Sequence, residues 1–186
     1  MPAVGHLKYL YLAYFSDPSA ERPLYRAIRR RQVRTIVELG VGMGNRSARL
    51  IEVAQRYHAP REVCYTGIDQ FEARSSSVTP GMTLKRAHRT LKALGAKIQL
   101  VPGDPWMALS RTANTLTGTD LFVVSADQDA ESLARAWFYV PRMLHENSQV
   151  FVEEMNTQDG KPIFRPWDRS SIATLIPNSH AARRAA

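Results

Sequence analysis

The sequence predicts an α/β domain in three layers, with a mostly parallel central sheet flanked by helices. Three observations predict it. Short β-branched runs alternate with longer segments whose apolar residues recur every three or four positions. The first of those runs passes into a loop holding Gly40, Gly42 and Gly44. The next two runs end on acids, Asp69 and Asp104. Strands separated by helices in this rhythm need right-handed crossovers, which make neighbouring strands parallel.

Taken in order, residues 7–15 are rich in Tyr and Leu and read as a helix broken by Ser16-Asp17-Pro18-Ser19. A second helix is expected over 20–31, with Pro23 in its first turn, where a missing N–H costs little. Its Leu24, Tyr25 and Ile28 face inward. Residues 34–39 form the first strand and 47–57 the next helix. Residues 62–68 form the second strand, followed by Asp69 and a polar loop over 72–82 that is expected to be mobile. Thr83 can cap a helix carrying Leu84, Ala87, Leu91 and Leu94, with Gly95 closing it. The third strand is expected at 97–101, a helix at 106–116 and the fourth strand at 120–125. Residues 130–144 read as a helix kinked at Pro141, with His145 at its end, and 149–153 as the fifth strand. Beyond Glu154, extended pieces are expected at 163–164 and 172–176. The chain then divides into a helical extension (1–32), the α/β domain (33–178) and a tail expected to be disordered (179–186).

Composition narrows the class. With 186 residues and 44% hydrophobic content, the chain can bury one core around a sheet. No apolar run approaches the roughly 20 residues of a membrane helix, and no secretory signal is visible. A single cysteine, Cys64, cannot form an internal disulfide, which fits a cytoplasmic location. The net charge of +8 is concentrated at the ends: residues 1–36 hold seven Lys/Arg against two acids, and 161–186 hold five against one. Basic ends can attract a polyanion, but no recognition motif accompanies them, so a solvated surface is preferred over nucleic-acid binding.

Chemistry concentrates where strands end. In Glu38-Leu39-Gly40-Val41-Gly42-Met43-Gly44, glycine lets the backbone turn sharply, and the following helix start presents free N–H groups to a carboxylate or phosphate. Asp69 stands where an acid can accept the hydroxyls of a ribose, and Gly103-Asp104 where one can accept from an adenine amino group. Separately, the glycines are a tight turn and Asp69 a helix cap or surface turn; together with Gly103-Asp104 they describe a nucleoside site.

With those residues in place, the chain resembles the class I S-adenosylmethionine-dependent methyltransferases over residues 33–154. The resemblance implies their Rossmann-like fold and S-adenosyl-L-methionine as cofactor. It implies a glycine motif of Glu38, Gly40, Val41, Gly42 and Gly44, a ribose acid at Asp69, and an adenine contact at Gly103-Asp104. Gln70 or Phe71 would lie beside the adenine, Ser125 near the methionine end, and Asn45 and Arg46 at the cofactor carboxylate. A dinucleotide site would need glycine at Asn45. The segments at 120–127 and 149–154 are similar to the catechol-type O-methyltransferases, whose metal-binding acid after the fourth strand stands here as Ser125 and whose acid-amide pair after the fifth reads Glu153-Glu154. No metal ligand is assigned: Asp127, Asp129, Glu153 and Glu154 form either a displaced cation site or a solvated acidic rim. Trp106 either covers the adenine or packs, and Tyr9, Tyr11, Tyr14 and Trp137 either line an acceptor pocket or join the core.

The expected activity is methyl transfer to the oxygen or nitrogen of a small molecule, with Asp127 as the base that orients or deprotonates the acceptor. The alternative is a catalytically silent protein on the same fold, binding RNA or a protein partner through its basic ends.

Overall fold

A computed structural model describes residues 4–74 and 81–175. The middle of the 72–82 loop and the 179–186 tail lie outside the described residues. Within them, six strands order as β3-β2-β1-β4-β5-β6. These are β1 (Thr35–Leu39), β2 (Cys64–Asp69), β3 (Lys97–Pro102), β4 (Thr119–Val124), β5 (Leu144–Met155) and β6 (Pro162–Trp167). The first five run parallel, and β6 pairs antiparallel with β5 through Val150–Trp167 and Met155–Pro162. The three-layer α/β expectation holds.

Strand parity sorts the core into two faces, because alternate residues point to opposite sides of a sheet. Ile36, Tyr65, Leu121, Val123, Phe151 and Phe164 meet helices α2 (Arg22–Arg31), α3 (Asn45–Ala54) and α4 (Leu84–Lys92), through Leu24, Ile28, Leu50, Ile51 and Leu91. Val37, Leu39, Phe122, Val124, Val150 and Val152 meet α5 (Pro105–Thr112), α6 (Ala130–Ala136) and α7 (Arg169–Leu175), through Leu109, Ala136 and Ile172. Trp137 stacks on Trp167 at 5.3 Å between ring centres, on this second face. Burial of these apolar side chains, at roughly 25 cal/mol per Å², supplies most of the stabilisation.

The N-terminal extension belongs to the first face. Helix α1 (His6–Leu10) runs into a π-helical turn, Tyr11–Phe15, before α2. Leu24, Tyr25 and Ile28 are buried as expected, and Tyr9 is buried with them. The Tyr25 hydroxyl donates to Glu21, whose carboxylate also accepts from Arg49 of α3 at 3.2 Å. Burial, reinforced by the Glu21 charge, pushes the Tyr25 phenol far above its ordinary range.

Three element expectations are corrected. The helix predicted over 130–144 stops at Ala136; a single 3₁₀ turn, Val140–Arg142, accommodates Pro141, and Leu144 already starts β5. Proline removes the N–H that a continuing helix would need. His145 therefore sits on a strand, with Nε2 2.9 Å from Asp120, whose other oxygen accepts from the Arg34 and Thr35 amides at 2.8 Å. Residues 172–175 are helical rather than extended, because Asp168 caps α7 through the Ser171 amide and Ile172 is buried against the second face. Amide donors hold the exposed Asp168 carboxyl down at about 2.

Candidate active site at the carboxyl edge of the sheet

Strand β1 ends at Leu39, and the chain turns at once through three glycines in the left-handed region, with φ of 91° at Gly40, 55° at Gly42 and 73° at Gly44. Side chains rarely adopt this conformation, so glycine is required on conformational grounds alone. Gly40 has a second reason. A Cβ there would lie 2.7 Å from the Ser125 Cβ, so the end of β4 closes directly onto the loop. Gly44 is the N-cap of α3 and supplies no side-chain cap, so the first amides of this ten-residue helix have no side-chain acceptor among the described residues.

A cleft of about 320 Å³ opens beside that helix start. The site residues Gly40, Val41, Gly42, Gly44, Asn45, Ser125 and Asp127 line it, joined by Glu21, Arg46 and Glu153. Of the expected site residues, Glu38, Asp69, Gln70, Gly103 and Asp104 lie outside its lining.

Glu38 points to the α3 face and is wholly buried. It accepts from Arg46 Nε at 2.6 Å, from the Ser47 hydroxyl at 2.7 Å and from the Tyr65 hydroxyl. Arg46 is further fixed by the Gly40 carbonyl at 2.8 Å, by the Ser125 hydroxyl and by the Phe164 ring. Burial alone would lower the Arg46 pKa, but the Glu38 charge wins and raises it. Tyr65 is pushed up by burial first and by Glu38 second. Glu38 thus ties β1, β2 and α3 together beneath the glycine loop. Sequence parity with Ile36 contains this direction.

Asp69 also stays close to the loop. Its Oδ2 accepts from the Gly42 amide at 2.8 Å and from Arg74 Nη2 at 2.7 Å; its Oδ1 accepts from the Phe71 amide at 3.0 Å and Arg74 Nε at 3.2 Å. The other terminal nitrogen of Arg74 reaches Asp127. Arg74 therefore spans two carboxylates, one at the end of β2 and one beyond β4. Burial would lower its pKa, but the hydrogen bonds and charge of Asp69 and Asp127 raise it. Nothing in the sequence singled out Arg74, because its role depends on a loop bringing it back across five residues.

Phe71 is buried against Val41, Met82 and Ala87 under the loop, while Gln70 is exposed. Met82 lies over Gly44, where a Cβ would come within 2.5 Å of its methyl, and the Met82 amide donates to the Gly42 carbonyl at 3.0 Å. Gly103 donates its amide to the Asp69 carbonyl at 2.9 Å, so β2 and β3 do finish side by side. The Asp104 side chain caps α5 through the Met107 amide at 3.0 Å and also accepts from the Ser132 hydroxyl of α6. Partial burial would raise its pKa, but these donors win and lower it. Trp106 is partly buried, with the Arg135 guanidinium 3.4 Å above its ring, so it packs at the α5–α6 junction.

The acidic rim is divided among nitrogen donors. Asp129 caps α6 through the Ser132 amide at 2.7 Å, and Glu153 accepts from the Ala126 amide at 3.1 Å. Glu154 accepts from Trp167 Nε1 at 2.9 Å and pairs with Arg165 at 3.4 Å. Among the described residues, no three metal-ligating side chains group together. Tyr9 and Trp137 are core residues, whereas Tyr11 and Tyr14 are exposed. No helix among the described residues is long and apolar enough to cross a membrane.

No protein-family model and no curated protein matches the chain. Solved structures do. The chain is similar to TomG, an O-methyltransferase of Streptomyces achromogenes involved in tomaymycin synthesis and solved with SAM, at 14% identity and a TM-score of 0.52, covering 94% of this chain and 71% of that one. It is similar to a TehB-like SAM-dependent methyltransferase of Corynebacterium glutamicum, at 16% identity and a TM-score of 0.50, covering 90% and 75%. It also resembles CmcI with magnesium and SAM, at 21% identity and a TM-score of 0.50, covering 75% and 53%. The chain thus spans about half to three quarters of these proteins' own length. At such identities the likeness establishes the fold: this is the Rossmann-like methyltransferase fold.

Proposed function

We propose that the chain is an S-adenosylmethionine-dependent methyltransferase acting on a small-molecule acceptor. One observation carries the reading: the uncapped start of α3 and the left-handed glycine loop line a cleft at the carboxyl edge of the sheet, the edge where open α/β sheets take their ligands. The donor set suits this cofactor. Free amides at a helix start favour its carboxylate, and the carboxylates of Glu21, Asp127 and Glu153 favour its ammonium and sulfonium charges. Asp69, beside the loop, would hold the ribose hydroxyls once Arg74 leaves its oxygens.

When bound, S-adenosylmethionine supplies an electrophilic methyl group. The chain's own part is positioning. Asn45 and Arg46 stand at the helix start, Ser125 closes the floor, and Asp127 lies on the rim where it can accept a proton from an acceptor hydroxyl or amine. Arg74 ties Asp127 to Asp69, so releasing Asp69 for a ribose also releases Asp127 for the acceptor.

A second reading, a catalytically silent protein, draws on the same Arg74 bridge, which saturates Asp69, and on Ser125 and Glu154 at the altered positions. Calorimetric titration with S-adenosylmethionine, S-adenosylhomocysteine and NAD tests the cofactor. Binding of the first two but not NAD is expected; exclusive NAD binding overturns the assignment. Turnover of labelled cofactor with a panel of phenols and amines then separates enzyme from silent binder.

A further inference from the structure

A second cleft of about 320 Å³ lies next to the first, between the N-terminal helices and the turn joining β5 to β6. The two share Pro162, and Glu21 of the first lies between Ala20 and Arg22 of the second. Both therefore open at the carboxyl edge, where β5 ends. Their charges are opposite. The first is lined by three carboxylates and Arg46, the second by Arg22, Arg26 and Lys161 against Asp159 alone. Among the described residues, none of those three cations has a carboxylate within 4.0 Å, although ion pairs form elsewhere on the surface. Asp159 instead accepts from the Lys161 amide at 3.2 Å.

The cleft also has an apolar wall. Ala13, Ala20 and Ile163 line it, and Tyr14 stands in it with the Arg26 guanidinium 5.9 Å from its ring centre. Tyr14 is 44% exposed despite its size. It belongs to the π-helical turn Tyr11–Phe15, a widened turn frequently found at functional sites. Arg22 Nε donates to the Ser16 carbonyl at 2.8 Å, which leaves its charge unneutralised. A flat ring beside cations that pair with no carboxylate among the described residues is suited to a flat ring bearing an anion.

We propose that this cleft is the acceptor subsite, and that the acceptor is a small ring compound carrying a carboxylate or phosphate. The inference rests on the methyl-transfer reading of the adjoining cleft. It follows from charge separation along one edge: the acidic cleft takes the cationic methyl donor, and the basic cleft beside it takes an anionic acceptor. Opposite fields in adjoining clefts also keep each ligand out of the other's place.

The test uses the full chain and three probes of similar shape: 4-hydroxybenzoate, phenyl phosphate and the neutral 4-hydroxybenzamide. Calorimetry should show at least one anion binding tenfold or more tighter than the amide, and the preferred anion distinguishes carboxylate from phosphate. Arg26→Gln and Lys161→Gln, both at exposed positions, should each weaken that anion about fivefold. Lys92→Gln, an equal charge change on α4, should leave it unaltered. Equal affinity for amide and anions, no anion binding at millimolar concentration, or equal weakening by Lys92→Gln overturns the proposal. So does a 20-nucleotide RNA whose affinity falls as much with Arg31→Gln as with Arg26→Gln, because that assigns the charge to a diffuse polyanion face. S-Adenosylhomocysteine is titrated alongside. If it fails to bind while anion selectivity persists, the methyl-donor reading falls and the anion site stands; the reverse result removes only the acceptor subsite.

Discussion

Two acids on adjacent strands, Glu38 and Asp69, are both buried and both paired with arginine, yet their surroundings differ. Glu38 is held by Arg46, Ser47 and Tyr65, all on regular elements, and Arg46 is itself held by a carbonyl, a hydroxyl and an aromatic ring. Asp69 is held by two loop amides and by Arg74, which also reaches the Asp127 carboxylate. The first cluster has no partner to give up without breaking the frame. The second can exchange one arginine for a ligand's donors at the cost of the Arg74–Asp127 pair alone. A buried charge whose partners all sit on rigid elements is costly to unpair, whereas one held partly by a loop arginine can change that partner with less disruption.

The comparison can be broken or sharpened by mutation. The largest effect is expected from Glu38→Gln, which leaves buried Arg46 only the more distant Glu153, at 3.9 Å, as counter-charge and should cost about 3–5 kcal/mol in urea unfolding. A loss below about 1 kcal/mol would make the Glu38 cluster as dispensable as a surface pair. Asp69→Ala should weaken S-adenosylmethionine binding by about 1–3 kcal/mol in calorimetry. An unaltered affinity would remove Asp69 from the site. Arg74→Ala should act in the opposite direction, tightening the same ligand by on the order of 1 kcal/mol, since a competing donor is gone. Weaker binding in that variant would show that Arg74 belongs to the ligand's own contacts and that the two clusters are alike after all.

The last effect is silent at neutral pH. Tyr25 and Tyr65 are both raised in the folded chain above the ordinary 10.0, so the unfolded state loses its phenolic protons first. Their contribution to stability is fully present below pH 10.0 and is lost as the pH climbs above it toward the raised native values. Chemical denaturation at a series of alkaline pH values should show the decline, and Tyr65→Phe should flatten it. A slope unchanged in that variant would separate Tyr65 from the Glu38 cluster.

Strand parity, glycine placement and the strand–helix rhythm were enough to read the mostly parallel sheet and the glycine turn at its carboxyl edge from the sequence, because these depend on neighbours within a few residues. Thr83 caps α4 through the Arg86 amide for the same reason. The element boundaries that slipped, at Ala136 and near Ile172, are those where a proline's missing donor or a long-range contact with the core outweighs local periodicity.

What the sequence determined by itself was the layered fold, the glycine turn and the presence of acids at the strand ends, since alternation and backbone sterics act locally. Only the tertiary structure decided which acid is enclosed by regular elements and which is held by a loop arginine. It turned Asp104 to the α5–α6 junction, brought Arg74 across Asp69 and Asp127, and set a basic cleft beside an acidic one. These outcomes depend on which side chains from distant elements arrive at one carboxylate, and distance along the chain carries no record of that.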